Sequence, residues 1–355
     1  MSSVIVTVIT AFASGVLGTS LGAVAAVIMT AVVALVGIGA NIAGADFNLV
    51  SGVAFGMFLG PQVSFGPACC AAAYAKKKGY LADSHDVFTP LITTHRADVL
   101  IVGGLFAVFG WYLNTAIASV ANGGIDSVAL TVTIISLVAK VLFGGSLIGT
   151  VEGGGKRFAI DSPCWLEWQT SRRGFVMLLT GGTIGAISGY LVIAMCGMAA
   201  ETGNEALAAM STLPVWAVAV ILFMFMGTGR NIPVFHHIGL PAAYAAKMAV
   251  DAGAGEDALL WAVAFGILGC YMGDWTAKLF DVNGDGYVDP PSATIAILSL
   301  FPLAVFPAIG VNVPGTAGYY AVPILVIALL VVYALKCEKE AKRLNHSDAG
   351  AVPEV

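Results

Sequence analysis

Nine apolar segments, at about residues 5–43, 47–75, 97–121, 127–150, 174–199, 213–250, 257–280, 292–311 and 318–336, follow one another with only short polar or Gly/Pro-marked stretches between them. A run of about 18 or more apolar residues reads as a bilayer-spanning helix, so a chain built almost entirely of such runs has few soluble folds open to it. Of the 355 residues 58% are hydrophobic and 10% charged, against about 25% charged in soluble domains. An ordinary soluble domain is excluded, and the expected fold class is an all-α polytopic membrane protein whose first partner is the lipid bilayer. A formal net charge of −5, with no basic run beyond Lys76-Lys77-Lys78, points away from nucleic acid. The N-terminal MSSVIVTVIT carries no positive region, so no cleaved signal peptide is expected. The six cysteines show no CxxC or Cys/His metal spacing, which gives neither a disulfide framework nor zinc.

The segments repeat. ADVLIVGGLFAVFGWY (97–112) aligns without gaps on EDALLWAVAFGILGCY (256–271), and GGIDSVALTVTIISL, ending at Leu137, aligns on DGYVDPPSATIAILSL, ending at Leu300. AAAYAKK around Tyr74 resembles AAYAAK around Tyr244, MFLG ending at Gly60 resembles MFMG ending at Gly227, and LGTSLGA near Thr19 echoes GGTIGAI near Thr183. The chain therefore divides into a first membrane repeat over 1–150, a central loop over 151–173, a second repeat over 174–311, a final transmembrane helix within 312–336 and a charged tail over 337–355.

One segment in each half is broken, 47–75 by Gly60-Pro61-Gln62 and Gly66-Pro67, and 213–250 by the stretch Gly227 to Pro233. Such breaks free backbone groups, which is tolerated only inside protein or against a water-filled cavity. If each is a re-entrant hairpin, each half crosses three times and the repeats are inverted; a single crossing for each would make them parallel. The positive-inside rule decides for inversion. It collects the loops 76–96, 151–173 and 281–290 and the tail, with nearly all the Lys and Arg, on a cytoplasmic side, and leaves Asp126, Glu201, Glu205, Asp251 and Glu256 opposite. The expectation is an inverted-repeat bundle of seven crossing helices and two hairpins in a plasma or inner membrane, with the C-terminus cytoplasmic.

Inverted repeats with broken segments point to a secondary transporter whose site lies near the midplane. The expected solute site combines Gln62 and Ser64 from one hairpin tip with Thr228, Arg230, Asn231 and His236 from the other. Arg230 sets the expected sign of the solute as anionic, because an intramembrane guanidinium binds an anion or pairs with a carboxylate such as Asp98, Asp257 or Asp274. His236-His237 titrate near neutral pH and could couple proton movement. Asp274, in the apolar GCYMGDWTAKLF, is a coupling-ion candidate or the i, i+4 partner of Lys278. Lys140, inside 127–150, needs a partner that the sequence does not identify.

The sharpest local motif, Asp281-Val-Asn283-Gly-Asp285-Gly286-Tyr287-Val288-Asp289, looks like an EF-hand-type or dockerin-type calcium loop. It supplies oxygen ligands at positions 1, 3, 5, 7 and 9 and a glycine at 6, which suits Ca2+. Ser292 replaces the bidentate Glu at position 12, and an Asx-rich turn is the alternative. Gly153-Gly154-Gly155-Lys156 lacks the frame of a P-loop, GTIGAISG at 182–189 reads as close helix packing, and no acid/base or nucleophile constellation suggests an enzyme. The expected function is thus alternating-access transport of a small anionic solute with proton or cation coupling. An ion channel with a hairpin-built filter and a membrane scaffold subunit are the alternatives, and a homo-oligomer is the general expectation for such proteins.

Overall fold

A computed structural model describes residues 3–45, 48–228 and 232–349, and every regular element among them is helical. Hydrocarbon offers no partner to a free backbone group, so apolar segments of this length satisfy themselves as helices. The elements are α1 (Ser3–Leu21), α2 (Ala23–Ile42), α3 (Phe65–Lys77), α4 (Ala97–Ala121), α5 (Ser127–Ala139), α6 (Gly174–Thr202), α7 (Glu205–Met210), α8 (Leu213–Ile221), α9 (His236–Asp251), α10 (Ala258–Thr276), α11 (Pro290–Leu300), α12 (Phe306–Ile309) and α13 (Ala317–Ala349). Tighter or wider helical turns extend α5 to Gly144, α8 to Thr228, α10 to Asp281 and α11 to Val305. Eight of the resulting helices are long and apolar enough to cross a membrane. The chain is a multi-pass membrane protein.

The count exceeds the seven crossings read from sequence because the first apolar segment is two helices. A segment over 5–43 is nearly twice the length that a ~30 Å hydrocarbon core requires, and Gly22 divides it with φ 88°. A side chain at Gly22 would also meet the Phe88 carbonyl at 2.9 Å, so the turn packs directly on the 78–96 loop.

Small residues set the tightest helix contacts. Gly15 of α1 faces Gly103 and Ala107 of α4, and Gly181 and Gly185 of α6 face Ala262, Gly266 and Ile267 of α10. Where lipid supplies no hydrophobic drive between helices, this close backbone approach provides the packing energy. The same arrangement occurs in each half: α4 packs on α1, α3 and α5, and α10 packs on α6, α9 and α11.

The halves meet through two antiparallel pairs, α2 with α8 and α5 with α11. At one end of the second pair the Asp126 N–H donates to Ser299 Oγ (3.0 Å), while Gly144, at the far end of α5, seats on the Asp285 backbone. In the first pair Asn204, just before α7 and α8, donates to the Ile42 carbonyl (2.8 Å) that closes α2. One end of the bundle gathers Lys76–Lys78, Arg157 and Arg172 beside the C-terminal part of α13. The other gathers Asp126, Asp251 and Asp257.

Between α2 and α3 the chain returns from the acidic end to mid-depth, where Thr30 Oγ1 donates to Leu59 O (2.6 Å) and Gly110 of α4 lies against the Gln62 carbonyl. From there α3 continues to the basic end. In the second half Val215 meets Gly239 and Phe223 meets His236, so α8 and α9 are antiparallel arms and α9 ends back at the acidic side.

Candidate functional site

A cavity of about 530 Å³ lies between the two antiparallel pairs. Its wall takes Val24 and Val27 from α2, Phe65 from α3, Ala129 and Val132 from α5, Trp216 and Phe223 from α8, Leu240 from α9 and Ile295 from α11. Trp165 and Leu166 of the central loop close it from the basic side, so this stretch, read from sequence as a simple cytoplasmic loop, is part of the wall. Phe55 and Trp216 pack with their rings tilted by 47°, 5.1 Å between centroids. An apolar cavity with a few convergent polar groups is the general form of a small-molecule site.

Those polar groups sit mainly at its two ends. Asp126 caps α5, accepting from Ala129 N (2.9 Å), and also accepts from the Tyr244 hydroxyl (2.9 Å). Asp289 caps α11, accepting from Ser292 N (2.8 Å) and from the Tyr287 hydroxyl (2.8 Å). The two are aligned positions of the repeat, and the antiparallel run of α5 and α11 places them at opposite ends. Burial pushes both carboxyls above the ordinary carboxylate range, against the hydrogen bonds that favour the ionised form. His236 lines the wall between them, 8% exposed, its ring edge-on to Phe223 and its Nδ1 without a partner among the described residues. His85, at the basic end, is held by Asp83 (3.1 Å) and by the Asp281 carbonyl (3.2 Å).

Among the described residues expected at the hairpin tips, only His236 lies on the cavity wall. Gln62 is fully buried behind Pro61, donating to Phe55 O (2.9 Å), and Ser64 donates to Leu59 O (2.9 Å); neither lines the cavity. Thr228 is exposed and donates to Phe225 O (2.6 Å). Arg230 and Asn231 lie outside the described residues. Of the six, His236 reaches the cavity.

Asp274 is buried with Lys278 in an i, i+4 ion pair (3.0 Å) and also accepts from Ser171 N (3.1 Å) and Ser171 Oγ (2.6 Å). Beside it Gln169 donates to Cys270 O (2.8 Å), and its side-chain amide meets His237 Nε2 at 2.6 Å. The central loop is thereby fastened to α9 and α10.

The calcium-type loop is organised around a different cation. The Lys140 ammonium, fully buried, donates to the carbonyls of Gly286 (2.9 Å) and Gly284 (3.3 Å), which supplies the partner the sequence left open. Asp281 turns to Val288 N (3.0 Å), Asn283 to Lys278 O (3.3 Å), Asp285 to Ser84 Oγ (3.3 Å), and Asp289, with Tyr287, to the start of α11. The side chains expected to hold Ca2+ therefore do not converge, and among the described residues no three His, Cys, Asp or Glu side chains are grouped to hold a metal.

Sequence reasoning missed Asp126, Tyr244, Trp165 and Trp216 as parts of one site. The repeat alignment was the available signal for Asp126, because it sets that residue on Asp289. One family matches the chain twice, over residues 1–163 and 155–322: DUF7973, a family of unknown function, to which the chain belongs. No curated protein and no solved structure matches it.

Proposed function

We propose that this member of DUF7973 is a secondary carrier of a small organic solute, working by alternating access around the cavity between the α2/α8 and α5/α11 pairs. The observation that carries the reading is that α5 and α11, aligned helices of the two halves, run antiparallel beside one cavity, with α2 and α8 antiparallel on its other side. A two-fold axis that reverses a membrane helix lies in the membrane plane, and inverted repeats around a midplane site are the architecture of secondary carriers. The double family match supports the duplication. By the positive-inside rule the basic end, with the C-terminus, faces the cytoplasm.

In this mechanism the α2–α3 and α8–α9 units rock against the α4/α5 and α10/α11 supports. One motion opens the cavity past Asp126, the other past Asp289. The apolar wall binds the body of the solute, the end groups hold its polar part, and a proton or cation moves with it.

Counterflow in proteoliposomes, with a panel of labelled organic cations, anions and neutral solutes, tests the reading. Saturable exchange of at least one solute, abolished when Leu303→Trp, at a position on the cavity wall, fills the cavity, is the expected result. Unitary currents of channel size, or no exchange by any member of the panel, would overturn it.

A further inference from the structure

We propose that the cavity takes an organic cation with an apolar or aromatic body, Asp126 being the group that selects the charge; the assignment rests on the carrier reading for its role in transport but not for binding. Three observations point to this class. The carboxylates on the wall are Asp126, Asp281 and Asp289, and no Lys or Arg lines it among the described residues. Lys140, a buried ammonium beside Asp281, is already engaged by the Gly284 and Gly286 carbonyls. Rings surround the space, with Phe55, Trp216, Phe223 and Tyr244 on the acidic half and Trp165 and Tyr287 on the other, and an aromatic face attracts a cation more strongly once water is excluded.

Asp126 is the carboxylate left with capacity. Its two oxygens serve Ala129 N and the Tyr244 hydroxyl, no cation among the described residues pairs with it, and an ionised carboxylate accepts about four bonds. Asp289 by contrast receives Ser292 N, Ser292 Oγ and Tyr287, and Asp281 lies beside His85 and Lys140. His236 supplies the second contact: its Nδ1 is buried, on the wall and without a partner among the described residues, ready to bond a polar group of the same ligand. Nothing comparable awaits an anion in the described lining.

Two probes of one shape and opposite charge decide the matter: tetraphenylphosphonium and tetraphenylborate, measured by equilibrium dialysis on the intact protein in lipid nanodiscs with empty nanodiscs as blank. The expected result is saturable, one-to-one binding of the phosphonium, quenching of Trp165 and Trp216 fluorescence, and no displacement by the borate. Asp126→Asn keeps a good helix cap and removes the charge, so it should weaken the phosphonium at least tenfold while leaving the melting temperature within a few degrees. Equal affinity in that variant, saturable binding of the borate alone, or no saturable binding of either ion would overturn the proposal. Counterflow separates the two readings. Phosphonium binding without exchange of any solute would remove the carrier and leave the ligand class, and exchange restricted to anions would do the reverse.

Discussion

Asp126 has two duties that pull in opposite directions. As a cap it satisfies Ala129 N and is favoured in the ionised form, yet burial disfavours that charge and pushes the carboxyl above its usual range. A group whose pKa is raised on folding contributes stability that is complete below its unfolded value and is lost as pH rises through the folded one. Wild type should therefore lose thermal stability between acid and neutral pH more steeply than Asp126→Asn, which cannot ionise. A melting series across that window checks the slope; parallel curves would mean the carboxylate is fully compensated. Asp126→Ala also loses the cap, about 1 kcal/mol. The Asp274–Lys278 pair carries a larger stake, because removing one partner leaves the other charge buried. Asp274→Ala should cost about 3–5 kcal/mol, and pairing Asp274→Leu with Lys278→Met should recover most of it. No recovery in the double variant would assign the loss to the Ser171 contacts instead.

At the scale of elements, a glycine supports each interrupted segment from the neighbouring helix. Gly110 of α4 lies against the Gln62 carbonyl, and Gly269 of α10, its aligned counterpart, would place a side chain 2.9 Å from the His237 carbonyl. The starts of α3 and α9 thus rest on equivalent notches. Gly269→Val should push His236 out of the cavity wall and cost about 1–3 kcal/mol by overpacking, with ligand binding lost before folding. Gly182→Val, which meets only Ile267 at 3.7 Å, is the matched control. Gly110 and Gly269 stand in the aligned 97–112 and 256–271 stretches, so this much was legible in the sequence, as were the helices and the Asp274–Lys278 spacing. The split at Gly22 was not, because apolar character runs straight through it and the turn is fixed by the distant carbonyl of Phe88. The partner of the loop over 281–289 was not legible for a similar reason: the Lys140 ammonium that its Gly284 and Gly286 carbonyls accept from comes from another helix.

For the whole molecule the decisive quantity is which end of the bundle faces which compartment. Contacts place residues 84, 157, 285 and 345 at one end and 42, 126, 204 and 257 at the other. The basic side chains concentrate at the first, which the positive-inside rule assigns to the cytoplasm. Four of the six cysteines, at 69, 70, 270 and 337, are buried and free, so a labelling background needs only Cys164→Ser and Cys196→Ser. Single cysteines at the exposed positions 152, 285 and 339 should then react with an impermeant maleimide only from the cytoplasmic face, and those at 201 and 251 only from the opposite one. Reversal of all five would turn the molecule over and leave the antiparallel pairing intact. Labelling of 285 and 339 from different faces would break the common end itself, because α5, α11 and α13 could not then share the membrane as they share the bundle, and the two-fold relation on which alternating access depends would fall with it.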